Sequence, residues 1–220
     1  ASPIEPYDPI PWIDPMIGTG GVGGEVVGLN PGAAVPFGMT QVGPATRDSS
    51  TGSPNFYHFG GYYHPDDQIT GFAHEHANGM GVNDFGTVLV MPRAAWSDGF
   101  TTSKGRAAAF SHDEEVAEAG VYQVTLGDDG TQVAIAATAH GAVHRYRFVG
   151  GTEPAVLLDL AHVFGDMTVT DASVAYDLDT ATIDAQQVLH GSYSGRFGGL
   201  RTWAHMSVEP TPSGGGTWTD

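Results

Sequence analysis

The sequence predicts an all-β protein, an antiparallel β-sandwich, on three observations. Short segments of alternating apolar residues recur from about residue 86 onward, turn signals separate them, and the composition is poor in charge but rich in turn formers. Charged residues make up 15% of the chain against 40% hydrophobic, with 32 Gly and 14 Pro. A surface with so few charges takes its polarity from Ser, Thr, Asn, Gln, His and backbone, which suits turn-rich β structure better than a helical bundle. At 220 residues the length admits one large β domain or two small cores.

Taken in order, residues 1–68 are dense in Gly, Pro and aromatics without a helical period, and read as loops and short strands of the kind that carry function. The start at Ala1-Ser2-Pro3 has neither a charged nor an apolar leader region, and Tyr7 to Trp12 interleaved with Pro6, Pro9 and Pro11 reads as an extended mature N-terminus. Strands are expected at 86–92, 121–126, 132–138, 142–149, 155–160, 167–176 and 182–190, parted by turns such as Gly127-Asp128-Asp129-Gly130 and Gly150-Gly151. Within the fourth, Val143, Arg145 and Arg147 share one face and His144, Tyr146 and Phe148 the other, so one face is wet. The one helix candidate is 111–119, where Ser111 and Glu114 have capping-box spacing and Gly120 stops the run. Ser207-Val208-Glu209 enters a loop, and Thr217 to Asp220 stops as a strand would begin. Residues 1–220 are therefore expected to be a fragment, or one half, of a larger molecule, incomplete at its C-terminus.

Only 8 Lys+Arg oppose 25 Asp+Glu, a net charge of -17, and Lys104 is the sole lysine. Nucleic acid and an anionic membrane surface are repelled, while neutral sugars or a hard cation held by carboxylates are admitted. With no cysteine there are no disulfides or thiolate metal sites, and no run of about 18 apolar residues is present to span a bilayer.

Three segments carry chemistry. Residues 71–86 hold His74, Glu75, His76 and Asp84 among four glycines. On an extended backbone His74 and His76 point one way and Glu75 the other, so the pair could hold zinc with a third ligand from His58, His64 or Asp84; equally, the rings could be hydrogen-bonded wall residues beside a glycine turn. Gly18-Thr19-Gly20-Gly21-Val22-Gly23-Gly24 has the composition of a phosphate loop but no following lysine and no strand-turn-helix context, so its glycines serve close backbone approach instead. Thr46-Arg47-Asp48 sets a cation beside an anion after Pro44, which is expected to end a strand. Near Tyr57, Tyr62, Tyr63 and His64 it is either a surface ion pair or a sugar subsite combining aromatic platforms with bidentate polar groups.

Together these residues resemble a family. Trp12-Ile13-Asp14-Pro15-Met16-Ile17-Gly18-Thr19-Gly20-Gly21, then Pro31-Gly32-Ala33 and Pro36-Phe37-Gly38-Met39, are similar to the opening of glycoside hydrolase family 92. Gly61-Tyr62-Tyr63, Gly71-Phe72-Ala73-His74-Glu75-His76, Gly79-Met80-Gly81, Asp84-Phe85-Gly86, Met91-Pro92, Phe110-Ser111-His112, Gly120-Val121-Tyr122 and His144-Arg145-Tyr146 continue the template in order. Two positions depart from it: Glu75 stands where the family commonly has a small hydroxyl residue, and Thr87 where it commonly has an acid.

The resemblance implies an N-terminal β-sandwich packed on a helical barrel, exo-action on the α-mannosides of glycans, inversion at the anomeric carbon, a calcium ion near the substrate, and secretion. It also implies that the general acid and base come from the barrel. An inverting pair of carboxyl groups stands about 6.5 to 9.5 Å apart; Glu75 and Asp84 are set aside as that pair because the resemblance places both roles beyond residue 220. What remains for this domain is substrate binding, expected of Arg47, Asp48, His74, Glu75 and His76. Two other functions fit the residues: a stand-alone carbohydrate-binding β-sandwich, and a small metalloenzyme using His74 and His76.

Overall fold

The structure is a computed structural model that describes residues 8–21, 28–50, 58–151 and 153–219. Among the described residues, twelve strands form two antiparallel sheets: β1 (Ala33–Ala34), β2 (Gln41–Arg47), β3 (Gln68–Ala73), β4 (Leu89–Arg93), β5 (Ala108–Glu118), β6 (Val121–Leu126), β7 (Thr131–Ala137), β8 (Ala142–Arg147), β9 (Ala155–Asp159), β10 (Thr168–Asp177), β11 (Thr182–His190) and β12 (Leu200–Ser207). The first sheet runs β1-β2-β3-β5-β6-β7-β8, with β4 pairing β3 and β9; the second is the meander β10-β11-β12. One α-turn, α1 (Ser103–Arg106), precedes β5.

The large sheet bends where β3 meets β5 through only two register positions, Gln68↔Ala109 and Ile69↔Ala108. Beyond the bend β1 and β2 lie against β6 and β7, which makes the layered antiparallel sandwich expected from the sequence. Its core joins Val42, Ile69, Phe72, Leu89 and Met91 to Tyr122, Leu126 and Ile135. Strand alternation produces this. In β6, Tyr122, Val124 and Leu126 are buried, and in β7 Thr131, Val133 and Ile135 are, while Gln123 and Gln132 face solvent. On β8, Val143, Arg145 and Arg147 are exposed and His144 and Tyr146 are half-buried, as their parity requires.

Two expectations fail. Residues 111–119 are not helical but lie in β5, paired with β6 from Phe110↔Leu126 to Glu118↔Val121 across an irregularity between Phe110 and Glu115. The hydroxyl of Ser111 accepts from the amide of Asp113 rather than capping a helix. The decisive residue is Glu115, whose carboxylate is pulled inward by the hydroxyls of Tyr62 and Tyr122 (2.6 to 3.1 Å) and by His112 Nδ1 (2.6 Å). Strand pairing and this buried network outweigh a local cap. Pro44 does not end its strand either: β2 continues to Arg47, with a register shift between Ala45 and Thr46. The two-residue β1 pairs only with Gln41 and Val42, so at Pro44 that side of β2 meets no strand, and the Asn30 side chain donates to the Pro44 carbonyl there instead (2.9 Å).

Candidate functional site: an arginine-lined cavity beside the histidine loop

A cavity of about 480 Å³ opens between the end of β2, the turn before β5 and the segment after β9; Arg47, His58, Arg106, Asp159, His162 and Phe164 are among its walls. Arg106 is fully engaged, with Nη2 at 2.7 Å from Asp159 Oδ2, Nε donating to the Thr70 carbonyl (3.1 Å) and Nη1 to that of Thr101 (3.2 Å). His58 Nε2 meets Asp66 in a buried contact. His162 donates from Nδ1 to the Gly86 carbonyl at 2.6 Å, and burial keeps its ring below the usual histidine pKa. Asp159 is the sole carboxylate among the described residues of this wall.

Phe164 connects the cavity to the histidine loop. Its ring occupies the space that side chains at Gly61 and Gly86 would fill: a Cβ at either position would come within 2.1 Å and 2.8 Å of it, and both glycines are left-handed (φ 81° and 85°). His76 stacks on the other side of Phe164, with centroids 5.5 Å apart. The loop 74–87 folds back on itself: His74 N donates to Thr87 O, Gly86 N donates to Glu75 O, and His76 bridges Phe85, with the turn at Gly79 and Gly81.

The five residues expected to bind substrate do not share one surface. Arg47 lines the cavity. Asp48 turns Oδ1 toward the amide and hydroxyl of Ser50. His74, Glu75 and His76 do not line the cavity, and of the three His76 touches its wall, through Phe164. His74 donates from Nδ1 to Val88 O (2.6 Å), so its Nε2 is the acceptor for His144 Nε2 (3.1 Å); His144 Nδ1 in turn accepts from the Tyr146 hydroxyl (2.8 Å). Burial holds His74 below the usual histidine value, and burial with the neighbouring His74 lowers His144 to about 3. His76 is surrounded by three carbonyls, those of Gly60 (2.7 Å), Gly43 and Ala73 (both 3.2 Å). Burial lowers its pKa to about 4, although the carbonyls favour the proton. These rings go to separate partners, so the pairing of His74 and His76 on zinc is not formed. The aromatic platform is also absent at Tyr62 and Tyr63, which are buried with hydroxyls on Glu115 and the Gly21 carbonyl; Tyr57 and residues 22–24 lie outside the described residues.

One further cluster escaped the sequence because one member, His64, is far in the chain from the other two. Ligand atoms of His64, His112 and Glu115 lie within 4.8 Å of one another, the one such group of His and carboxylate side chains among the described residues. Two imidazoles and one carboxylate do not suit calcium, which takes six to eight oxygens. Asp84 is committed too: its oxygens accept from Tyr193 N, Ser194 N, Ser194 Oγ and Phe85 N at 2.6 to 2.9 Å. Neither this cluster nor Asp84 presents the set of free oxygens that calcium takes.

The sequence profile of the glycosyl hydrolase family 92 N-terminal domain matches residues 12–220. The chain belongs to glycoside hydrolase family 92. An uncharacterized secreted glycosidase of Arthroderma benhamiae is 27% identical over 202 residues, which are 87% of this chain and 24% of that protein. Among solved structures, the family 92 α-mannosidase BT3965 of Bacteroides thetaiotaomicron with mannoimidazole superposes with a TM-score of 0.72 at 23% identity, over 83% of this chain and 23% of that one. The inverting mannosidase BT2199 of the same organism gives 0.62 at 24% identity, over 81% and 24%. The family 92 chain described here thus spans about a quarter of the length of the relatives it matches.

In this family 92 domain the two departures from the family pattern touch each other. Thr87 Oγ1 donates to Glu75 Oε2 at 2.7 Å, and Thr87 is wholly buried. Where the family commonly places a hydroxyl at the first position and an acid at the second, this chain has the acid first and the hydroxyl second.

Proposed function

We propose that this chain is the N-terminal β-sandwich of a secreted, inverting, calcium-dependent exo-α-mannosidase that acts on mannose-containing glycans. It shapes the substrate cleft together with a C-terminal helical barrel of the same enzyme. The observation that carries this is the family match over residues 12–220, joined to a cavity on the sandwich whose wall holds one carboxylate, already paired with an arginine. Inversion needs two carboxyl groups, one to protonate the leaving oxygen and one to activate water. Such a pair is absent from the described wall, which supports an acid and a base supplied from outside this chain. The calcium ligands are proposed to come from there as well.

The sandwich's part is then positional. Arg47 faces the cavity, while Asp48, His74, Glu75 and His76 act on it indirectly, through the end of β2 and through the contact of His76 with Phe164. Phe37 and Phe197 favour a domain partner: both side chains are fully exposed (106% and 105%) on left-handed backbones (φ 60° and 61°), a costly arrangement for an aromatic facing water. The test is turnover of an aryl α-mannoside by the whole enzyme, with the first-formed sugar anomer read by NMR. β-Mannose as the initial product, loss of activity on chelation and its return with calcium are expected. Initial α-mannose, or activity restored by zinc alone, overturns the proposal.

A further inference from the structure

Two arginines face the cavity, and only one is neutralised. Arg106 is 2% exposed with its charge on Asp159. Arg47 is 6% exposed, its Nε is sealed from solvent, and its guanidinium forms no hydrogen bond or ion pair with any described residue. A guanidinium cannot shed its proton in a protein, so Arg47 cannot escape burial as a lysine would, by turning neutral. Buried charge without a partner is strongly unfavourable. Asp159, the carboxylate in the same wall, is taken by Arg106, and Asp66 meets His58.

The rest of the wall supplies donors. Asn83 and Ser103 line the same space, and their side chains make no hydrogen bond among the described residues. A volume of about 480 Å³ lies within the range of small-molecule pockets, about 300 to 1,000 Å³, and far exceeds the ~30 Å³ share of one water. Neutral hydroxyls would fill such a space but leave the guanidinium uncompensated. The fork of an arginine matches two oxygens of one oxyanion.

We propose that this cavity is an oxyanion site, in which Arg47 pairs with the phosphate or sulfate group of a small polar ligand, assisted by Asn83 and Ser103. The proposal concerns the cavity that the mannosidase reading gives to the substrate cleft, but its test is separate, because the anion is bound rather than turned over and its binding is measured without any glycoside. A net charge of -17 opposes general anion uptake, so saturable binding reports a local site.

The experiment is calorimetric titration of the protein with inorganic phosphate, and separately with sulfate, at constant ionic strength set by chloride. Saturable one-to-one binding is expected for at least one of them, and the stronger of the two identifies the preferred group. Arg47→Met should weaken it at least tenfold and, without the anion, leave the thermal midpoint equal to or above that of the wild type, since the charge removed had no partner. Arg47→Lys keeps the charge but loses the fork and should also bind more weakly. Arg145→Met, on the exposed face of β8, should bind as the wild type does. No saturable heat with either anion, unchanged affinity in Arg47→Met, or a lowered midpoint or failure to fold of that variant overturns the proposal.

Discussion

Exchanging Glu75 and Thr87 measures what their contact contributes. Thr87→Val keeps shape and removes the hydroxyl, so the half-buried Glu75 carboxyl loses its donor at 2.7 Å. A hydrogen bond to a charged group is worth about 1.5 to 3 kcal/mol, which for a domain of this size is roughly 3 to 12 °C of thermal midpoint. Burial already raises the Glu75 pKa and the Thr87 bond opposes that rise, so Thr87→Val should push it further up. The sign follows from proton uptake. A carboxyl with a folded pKa above its unfolded one holds a proton that the unfolded chain has lost, so stability falls as pH rises from the ordinary carboxylate range to the raised value. The variant should show a steeper fall across that window and Glu75→Gln a flatter one. Glu75→Thr alone faces hydroxyl with hydroxyl; Glu75→Thr combined with Thr87→Glu restores an acid beside a hydroxyl. Urea denaturation of the wild type, both single variants and the double variant closes a cycle with an expected coupling of about 1 to 2 kcal/mol. A coupling below about 0.5 kcal/mol would refute the idea that the two departures compensate each other.

Three other outcomes are expected. Stability should fall as pH is lowered from about 6.5 toward 3: His74 and His144 refuse protons that the unfolded chain accepts, adding about 1.4 kcal/mol per pH unit for each ring still neutral. His144→Phe should flatten that slope in pH-dependent urea melts, and an unchanged slope would count against the histidine pair. Asp84→Asn should cost about 1.5 to 3 kcal/mol in urea melts, because the amide presents donors to Ser194 and Tyr193 N–H groups that now meet a carboxylate. Residues 1–220 expressed alone should not turn over an aryl α-mannoside, and turnover comparable to that of the whole enzyme would place the acid and base within this chain.

Much of the fold was legible because strands with one wet face announce themselves. The segments expected at 121–126 and 182–190 coincide with β6 and β11, and the others differ from β4, β7, β8, β9 and β10 by a few residues at their ends. The N-terminal strands were less legible, since β2 and β3 are buried on both faces and lack alternation, and β2 contains Pro44. Segment 111–119 misled because a local capping pattern said nothing of the hydroxyls of Tyr122, on the next strand, and of the distant Tyr62, both of which hold Glu115. The site divided along similar lines. Arg47 was visible as a charge in a polar stretch, but Arg106 and Asp159 are separated in sequence and only β9, brought beside β4, carries Asp159 to the cavity. His74 and His76 drew attention as possible ligands, yet their partners are backbone carbonyls and another ring, which sequence cannot display.

The Asp84 carboxylate has a consequence for how the protein opens. It belongs to the loop that follows β3, and its oxygens hold the amides of Tyr193 and Ser194, in the connection between β11 and β12. β10 turns nearly all of its residues to solvent, so the meander gains little from its outer strand and leans on this anchor. Sub-global opening of β10-β11-β12 as one cooperative unit is the cheapest excursion available to such a construction. Hydrogen exchange should find amides of 182–190 and 200–207 sharing a single opening free energy below that of β6 and β7, and Asp84→Asn should lower it while leaving exchange in β6 and β7 nearly untouched.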